Sequence, residues 1–444
     1  MTRPILPAMP PQSPLSIPRL SEADRKSERT WSVPGSKSLT NRALVLAALA
    51  EGPTRLSNVL ASDDTRHMRA CLAQLGIRIE DDGASAVIVH GGRSRLRPAT
   101  EPLFVGNSGT TVRFLAGVAA LIPGTTTFVG DQHMAKRPIA DLVEGLRQLG
   151  LTVDCPTGCP PLTVHGGRLP GGHVTMRGDR SSQYFSALLL VAGLSDQPLD
   201  IHITGELVSR PYVDMTRRLV ADFGGRIEVT ADGFFAQPIS HYAARSYHIE
   251  PDASAASYPF ALAAAGGGII SVPNIGSHSL QGDYRFVEVL RAMGAQISLS
   301  DQALVTRVQA GPHLHGVEVD MHHISDTVMT LAAIAPLADS PTTIRNVANI
   351  RLKETDRLQA LINELRRLGQ EVDHGDDWLR ITPRPLTAAT VACYADHRMA
   401  MSFAVLGALT GAVTLADPAC VAKTYPDFFA DLAQSYAVEP WPCD

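Results

Sequence analysis

One pattern recurs five times along the 444-residue chain. An apolar helix-like run ends in an apolar residue, then Gly, then two residues, then another apolar residue. It reads LAQLGIRI (72–79), LRQLGLTV (146–153), VADFGGRI (220–227), LRAMGAQI (290–297) and LRRLGQEV (365–372). The glycines, Gly76, Gly150, Gly224, Gly294 and Gly369, lie 70 to 75 residues apart. Each predicts a helix stopped by a C-terminal glycine and followed by a strand. A period of this kind has to be settled before any other fold assignment.

A second pattern interleaves with the first. A polar knot precedes an Ala-rich apolar helix at 34–49, 106–121, 180–194, 252–266, 323–338 and 396–409. With Ser36, Ser108, Ser182, Ser254, Ser325 and His397 as markers, the spacing is 71 to 74 residues. Six near-equal units therefore fill the chain. Helices apolar on most faces must be buried. The pattern predicts three units per domain, helices packed inside and sheets outside. The midpoint falls near residue 250, giving domains 33–250 and 251–444, the latter completed by an N-terminal strand within 1–32. That arrangement makes the chain cross twice between domains. Residues 1–30, rich in Pro, Ser and charge, are expected to be a ragged extension without a role.

Composition narrows the function classes. A net charge of −5 argues against a general nucleic-acid binder. No apolar run reaches the roughly 18 residues of a membrane span, and residues 1–30 lack a signal-peptide core. The six cysteines, at 71, 155, 159, 393, 420 and 443, show no zinc-finger spacing. A cytoplasmic protein with reduced thiols is the expectation.

The knots carry the chemistry. VPGSKSLTNR (33–42) is not a nucleotide P-loop, because Lys37 follows Ser36 and the earlier glycine is missing. Ser, Thr, Asn, Asp or Gly opens each buried helix, as N-caps do. Helix N-termini converging on one cleft would attract anions. Each dipole contributes only about 0.3–1 kcal/mol. Charge-assisted pairs, at about 1.5–3 kcal/mol, have to do the rest. Lys37, Arg42, Arg113, Arg137, Lys353, Arg357, Arg398 and Lys423 all lie at or near such mouths. Any one alone reads as a solvated surface charge. The set implies a ligand with several negative charges. Asp326 reads locally as a first-turn acid or a functional one; Glu354 as a surface ion pair or a proton donor held among cations. His397 is a candidate pocket donor, and His322 and His323 are structural.

Taken together, PGSKSLTNR, GNSGTTVR, KRPIADL, SSQYFSALL, SRPY, DMHHISD, NIRLKETDRL, DHRMAM and AKTYPD resemble the 3-phosphoshikimate 1-carboxyvinyltransferase (EPSP synthase) family, from about Val33 to Phe429. The resemblance implies the two-domain inside-out α/β prism of enolpyruvyl transferases. It implies transfer of the enolpyruvyl group of phosphoenolpyruvate to the 5-hydroxyl of shikimate 3-phosphate, in the route to chorismate and aromatic amino acids. No cofactor, metal, nucleic acid or membrane is implied, and a monomer is expected. By the resemblance, Lys37, Ser38, Arg42, Ser181, Ser182, Gln183, Ser209, Tyr212, Asp326, Asn349 and Lys353 contact shikimate 3-phosphate. Lys37, Asn107, Gly109, Arg137, Gln183, Arg357, Arg398 and Lys423 contact phosphoenolpyruvate. Asp326 is the base and Glu354 the first choice of acid, with Lys37 or Lys423 close behind; Lys37 belongs to the catalytic set. Two domains closing over the ligands would exclude water.

Departures from the family pattern cluster in one knot. Phe114 stands where a proline is common, and Ser108 and Thr111 differ from the form GNAGTAMR. Gly109 is kept, which leaves room for the inhibitor glyphosate, while Phe114 could shift that loop. The sister enzyme acting on UDP-N-acetylglucosamine usually has a Cys before its Arg-Pro; here the loop reads GDQHMAKRP. A non-catalytic relative that binds anionic metabolites, and an RNA-end-processing enzyme of similar units, are the rivals from other classes. Retention of Lys37, Asp326 and Glu354 speaks against the first, the net charge against the second.

Overall fold

The computed structural model describes residues 13–300 and 304–435. The chain divides into two compact units. A central unit runs from Gly35 to Glu250; a terminal unit joins the described residues up to Pro34 to those from Pro251 on.

The six knots open six buried helices: α1 (Lys37–Leu49), α2 (Gly109–Ala119), α3 (Ser182–Val191), α4 (Ala253–Gly266), α5 (Val328–Ile334) and α6 (His397–Thr410). Their N-caps are Ser36, Ser108, Ser181, Asp252, Thr327 and Asp396. In five of them the cap side chain accepts a backbone N–H, worth about 1 kcal/mol each. Thr327 makes no such bond. Every residue of α1 from Leu39 to Leu49 is buried, and every residue of α2. Within the central unit α1, α2 and α3 touch one another; within the terminal unit α4, α5 and α6 do. A helix with no polar face has no stable position at a surface, so sheets must enclose it.

The enclosing layer is six separate sheets. In each, the strand after a buried helix is central. Ala50–Ser57, for example, pairs antiparallel with Ala86–Gly91, which pairs antiparallel with Arg78–Asp81. On the other side lies a parallel strand drawn from elsewhere. For the second and third sheets it comes from the chain just before the buried helix, Leu103–Phe104 and Gly172–Arg177. The first and fourth sheets exchange theirs. Ser246–His248, before α4, pairs with Ala50–Ser57 of the central unit. Glu28–Thr30, before α1, pairs with Ile269–Pro273 of the terminal unit.

The five predicted stop glycines all adopt left-handed backbone, with φ from 84° to 105°. Each sits in a two-bond helix stop. In the first, Ile77 N–H donates to Leu72 O and Gly76 N–H to Ala73 O, both at 3.0 Å. Leu151, Gly225, Ala295 and Gln370 repeat the longer bond to Leu146, Val220, Leu290 and Leu365. The motif satisfies carbonyls that the helix end would leave unpaired.

Two expectations need correction. Residues 13–30 are built into the terminal unit. Leu15–Ser16 pairs antiparallel with Val413–Leu415, a helix spans Glu22–Lys26, and Ile17 and Leu20 are buried. Isolated apolar residues among Pro, Ser and charge form no periodicity, so apart from the one strand expected within 1–32 the segment read as a tail. The fifth helix is also shorter than 323–338. A 3-10 stretch, His322–Thr327, bends at Ile324 (φ −127°, ψ 36°), and α5 ends before Ala335–Leu337, where Pro336 removes a donor.

A left-handed position costs an L-residue about 1–2 kcal/mol. At Gly150 an added methyl meets only Pro170 Cγ at 3.9 Å; at Gly76 it meets Arg95 O at 2.5 Å. Gly150→Ala should therefore lower stability by about 1 kcal/mol, and Gly76→Ala by clearly more. Urea midpoints of the two variants check the order; equal shifts would contradict it.

Candidate active site

In the terminal unit, one buried network gathers residues from four segments. Arg357 opens the helix Arg357–Arg367 and is 1% exposed. Its Nε lies 2.7 Å from Asp396 Oδ2, its Nη2 2.9 Å from Glu354 Oε2, and its Nη1 3.2 Å from Asp326 Oδ1. Asp326 also accepts from Arg398 Nη2 at 2.8 Å and lies 3.4 Å from Lys353 Nζ. Glu354 lies 3.1 Å from Lys423 Nζ. Four cations and three carboxylates thus form one cluster. Burial alone would lower the proton affinity of Arg357, but Asp396, Glu354 and Asp326 outweigh it and raise it. Thr327, not Asp326, holds the N-cap position of α5. Asn349 donates to Ser325 Oγ at 3.2 Å, beside Asp326 in sequence. His397, fully buried, has Nδ1 3.8 Å from Asp396.

The central unit holds two further cationic groups. At the start of α2, Arg113 Nη1 donates to Gln183 Oε1 at 2.6 Å, and Arg137 Nη1 to Asn107 O at 3.1 Å and Oδ1 at 3.2 Å. A Cβ on Gly109 would come within 2.7 Å of Arg137 Nη2 and 3.0 Å of Arg113 Nη1. Any larger side chain there moves a guanidinium group. The second group centres on Arg42, buried in α1, which donates to Ser38 O and Tyr212 O. Lys37, in the first turn of α1, pairs with Asp64 at 3.5 Å. Ser181 and Ser182 sit at the start of α3, next to Gln183. Ser209 precedes the helix Arg210–Asp222 in left-handed backbone (φ 52°).

Within each unit, the residues singled out from sequence are mostly brought together. Asn107, Gly109, Arg137 and Gln183 share one locus, joined by Arg113; Ser38, Arg42 and Tyr212 share another. Asp326, Lys353, Glu354, Arg357, Arg398 and Lys423 form the third. Sequence reasoning passed over Asp396, the bidentate partner of Arg357, and Asp64, the partner of Lys37. Asp396 had a signal, since it occupies the N-cap position of a knot already singled out.

Six sheets enclosing apolar helices, with arginine and lysine clusters at the helix starts, define an α/β enzyme fold equipped to handle anions. The fold is that of EPSP synthase from Acinetobacter baumannii: its 2.37 Å structure has a TM-score of 0.79 and 23% identity, over 96% of this chain and 98% of that one. A family model for EPSP synthase (3-phosphoshikimate 1-carboxyvinyltransferase) matches residues 24–432. The 3-phosphoshikimate 1-carboxyvinyltransferase of Shewanella loihica is 44% identical over 421 residues, covering 92% of this chain and 97% of the relative. That of Nostoc sp. is 44% identical over 419 residues, covering 94% and 97%. The chain belongs to the EPSP synthase family.

Removing one partner of a buried ion pair typically costs about 3–5 kcal/mol, and an exposed pair contributes about 0–1. Asp396→Asn should therefore destabilise the protein by about 3 kcal/mol. Asp82→Asn, which breaks the exposed pair with Arg55, should change stability by less than about 1 kcal/mol. Chemical denaturation compares them; a small loss at Asp396 would mean that the Arg357 charge is balanced by Glu354 and Asp326 alone.

Proposed function

We propose that the chain transfers the enolpyruvyl group of phosphoenolpyruvate to the 5-hydroxyl of shikimate 3-phosphate, releasing phosphate, as its family name describes. What carries this is the terminal unit's cluster: Asp326 shared by Arg398, Arg357 and Lys353, and Glu354 shared by Arg357 and Lys423. A carboxylate oriented by several cations has a fixed position and can take a proton from a bound hydroxyl.

In this reading shikimate 3-phosphate is held by Lys37, Ser38, Arg42, Ser181, Ser182, Gln183, Ser209, Tyr212, Asn349 and Lys353. Phosphoenolpyruvate is held by Lys37, Asn107, Gly109, Arg137, Gln183, Arg357, Arg398 and Lys423. Asp326 takes the proton of the 5-hydroxyl as its oxygen bonds to C2 of phosphoenolpyruvate. Glu354 delivers a proton to the methylene carbon, with the Lys423 ammonium 3.1 Å away to support it. The resulting tetrahedral adduct loses phosphate. The methyl carbon returns its proton to Glu354, which restores the enol ether, and the hydroxyl proton leaves with phosphate. Arginines and lysines stabilise the carboxylate and the departing phosphate without reorganising. The protein is inferred to work in the cytoplasm as a monomer. The free thiols of Cys71, Cys155, Cys159, Cys393 and Cys420 suit a reducing compartment.

The test is phosphate release from phosphoenolpyruvate with shikimate 3-phosphate or UDP-N-acetylglucosamine as acceptor. Release with shikimate 3-phosphate alone is expected; release with the sugar nucleotide, or with neither, refutes the assignment. Asp326→Asn keeps the side-chain shape but removes the base. It should lower kcat by roughly 10²–10⁴-fold while calorimetry still detects shikimate 3-phosphate binding. Normal turnover would remove Asp326 as the base.

A further inference from the structure

Arg42 and Arg357 are both buried to 1% exposure, yet their surroundings are opposite. Arg357 is ringed by three carboxylates. Arg42 makes no ion pair among the described residues; the groups that accept from it are neutral. Its Nε donates to the Thr216 hydroxyl at 2.7 Å, its Nη1 to Ser38 O at 2.8 Å, and its Nη2 to Ser186 Oγ at 3.2 Å and Tyr212 O at 3.1 Å. These are four of the five guanidinium N–H groups, which leaves one on Nη1. The guanidinium carbon lies 5.0 Å from the centroid of the Phe114 ring, itself fully buried on α2. Burial pushes the proton affinity of Arg42 down to about 10, so the group is still a cation at neutral pH.

The chemistry of these partners differs from that of a carboxylate in one respect. A carboxylate stabilises a buried guanidinium by cancelling its charge. Hydroxyls, carbonyls and an aromatic face stabilise it through dipoles and a quadrupole, and leave the charge in place. The Thr216 hydroxyl is fixed in turn, 2.8 Å from Ser186 Oγ and 2.9 Å from Tyr212 O. Side chains from α2, α3 and the helix Arg210–Asp222, with the backbone carbonyls of Ser38 and Tyr212, thus fix the plane of the guanidinium group.

We propose that Phe114, Thr216 and Ser186 are positioning residues for shikimate 3-phosphate: they hold Arg42 as a buried cation whose charge is reserved for an anionic group of that substrate. Phe114, which departs from the family's usual proline, supplies the π face of this holder. The inference rests on the assignment of Arg42 to the shikimate 3-phosphate site.

The test uses the full-length enzyme, with shikimate 3-phosphate binding measured by calorimetry and steady-state kinetics measured for both substrates. Phe114→Leu should raise the Kd and KM for shikimate 3-phosphate roughly ten- to thirty-fold, the size of one desolvated cation–π contact. The KM for phosphoenolpyruvate and kcat should stay within about two-fold, well below the effect of that contact. Replacing Phe114 by mono-, di- and trifluorophenylalanine, which drains the ring face at nearly constant volume, should weaken binding stepwise. Thr216→Val should raise the Kd about ten-fold, as for one lost charge-assisted bond, and Thr216→Ser should restore it. An unchanged Kd across the fluorinated series, or equal losses for both substrates, overturns the inference. If Phe114→Leu does not fold, the fluorinated series and the Thr216 pair decide alone. Wild-type protein that neither binds shikimate 3-phosphate nor releases phosphate overturns the functional assignment itself. An active wild type with indifferent variants overturns only the role of Phe114, Thr216 and Ser186.

Discussion

A helix without a polar face has to be enclosed, and this one constraint generates most of the molecule. In α1 and α2 burial leaves no side for water. Three such helices pack together in each unit, so sheets and amphipathic helices must take the outside. Side chains along the helix bodies are then committed to packing. Much of the polar chemistry falls in the first turns, where caps and unpaired N–H groups already favour anions; Arg42, one turn further into α1, is the exception and needs polar partners from neighbouring helices. Hence Lys37, Gly109, Ser182, Arg357 and Arg398 all lie at helix starts.

The cationic residues divide into two electrostatic kinds. In the terminal unit, Arg357, Arg398, Lys353 and Lys423 are locked by Asp326, Glu354 and Asp396. The carboxylates reduce the net charge but fix geometry, as proton transfer requires. In the central unit Arg42 is held by neutral groups and an aromatic ring. Its geometry is fixed without loss of charge, as binding an anion requires. The same residue type therefore serves two ends, and the neighbours decide which.

Legibility in the sequence followed periodicity. The repeat exposed the six helices and the stop glycines, because a buried helix and a left-handed terminus each leave a compositional trace at fixed spacing. The family, and with it the enolpyruvyl transferase fold, was legible from the ordered motifs running from PGSKSLTNR to AKTYPD. What stayed hidden depends on contacts distant in sequence. Asp64 lies 27 residues from Lys37, and Thr216 meets Arg42 across 174 residues; neither pair leaves a local signature. Phe114 was visible only as a departure from pattern, and its ring meets a guanidinium group from another helix. Leu15–Ser16 and the helix Glu22–Lys26 were missed because a two-residue strand and a five-residue helix are too short to show a period.

The exchanged edge strands set the order in which this chain can be completed as it is made. Glu28–Thr30 pairs with Ile269–Pro273, and Leu15–Ser16 with Val413–Leu415. Each of these segments therefore has a partner that is translated only after the whole central unit. At about 5–20 residues per second, Leu15 waits roughly 20–80 s for its neighbour. The central unit has all its strands, including Tyr242–Ala243 and Ser246–His248, by the time residue 250 emerges. It is thus an insertion that can be finished while the terminal unit still lacks most of its fabric.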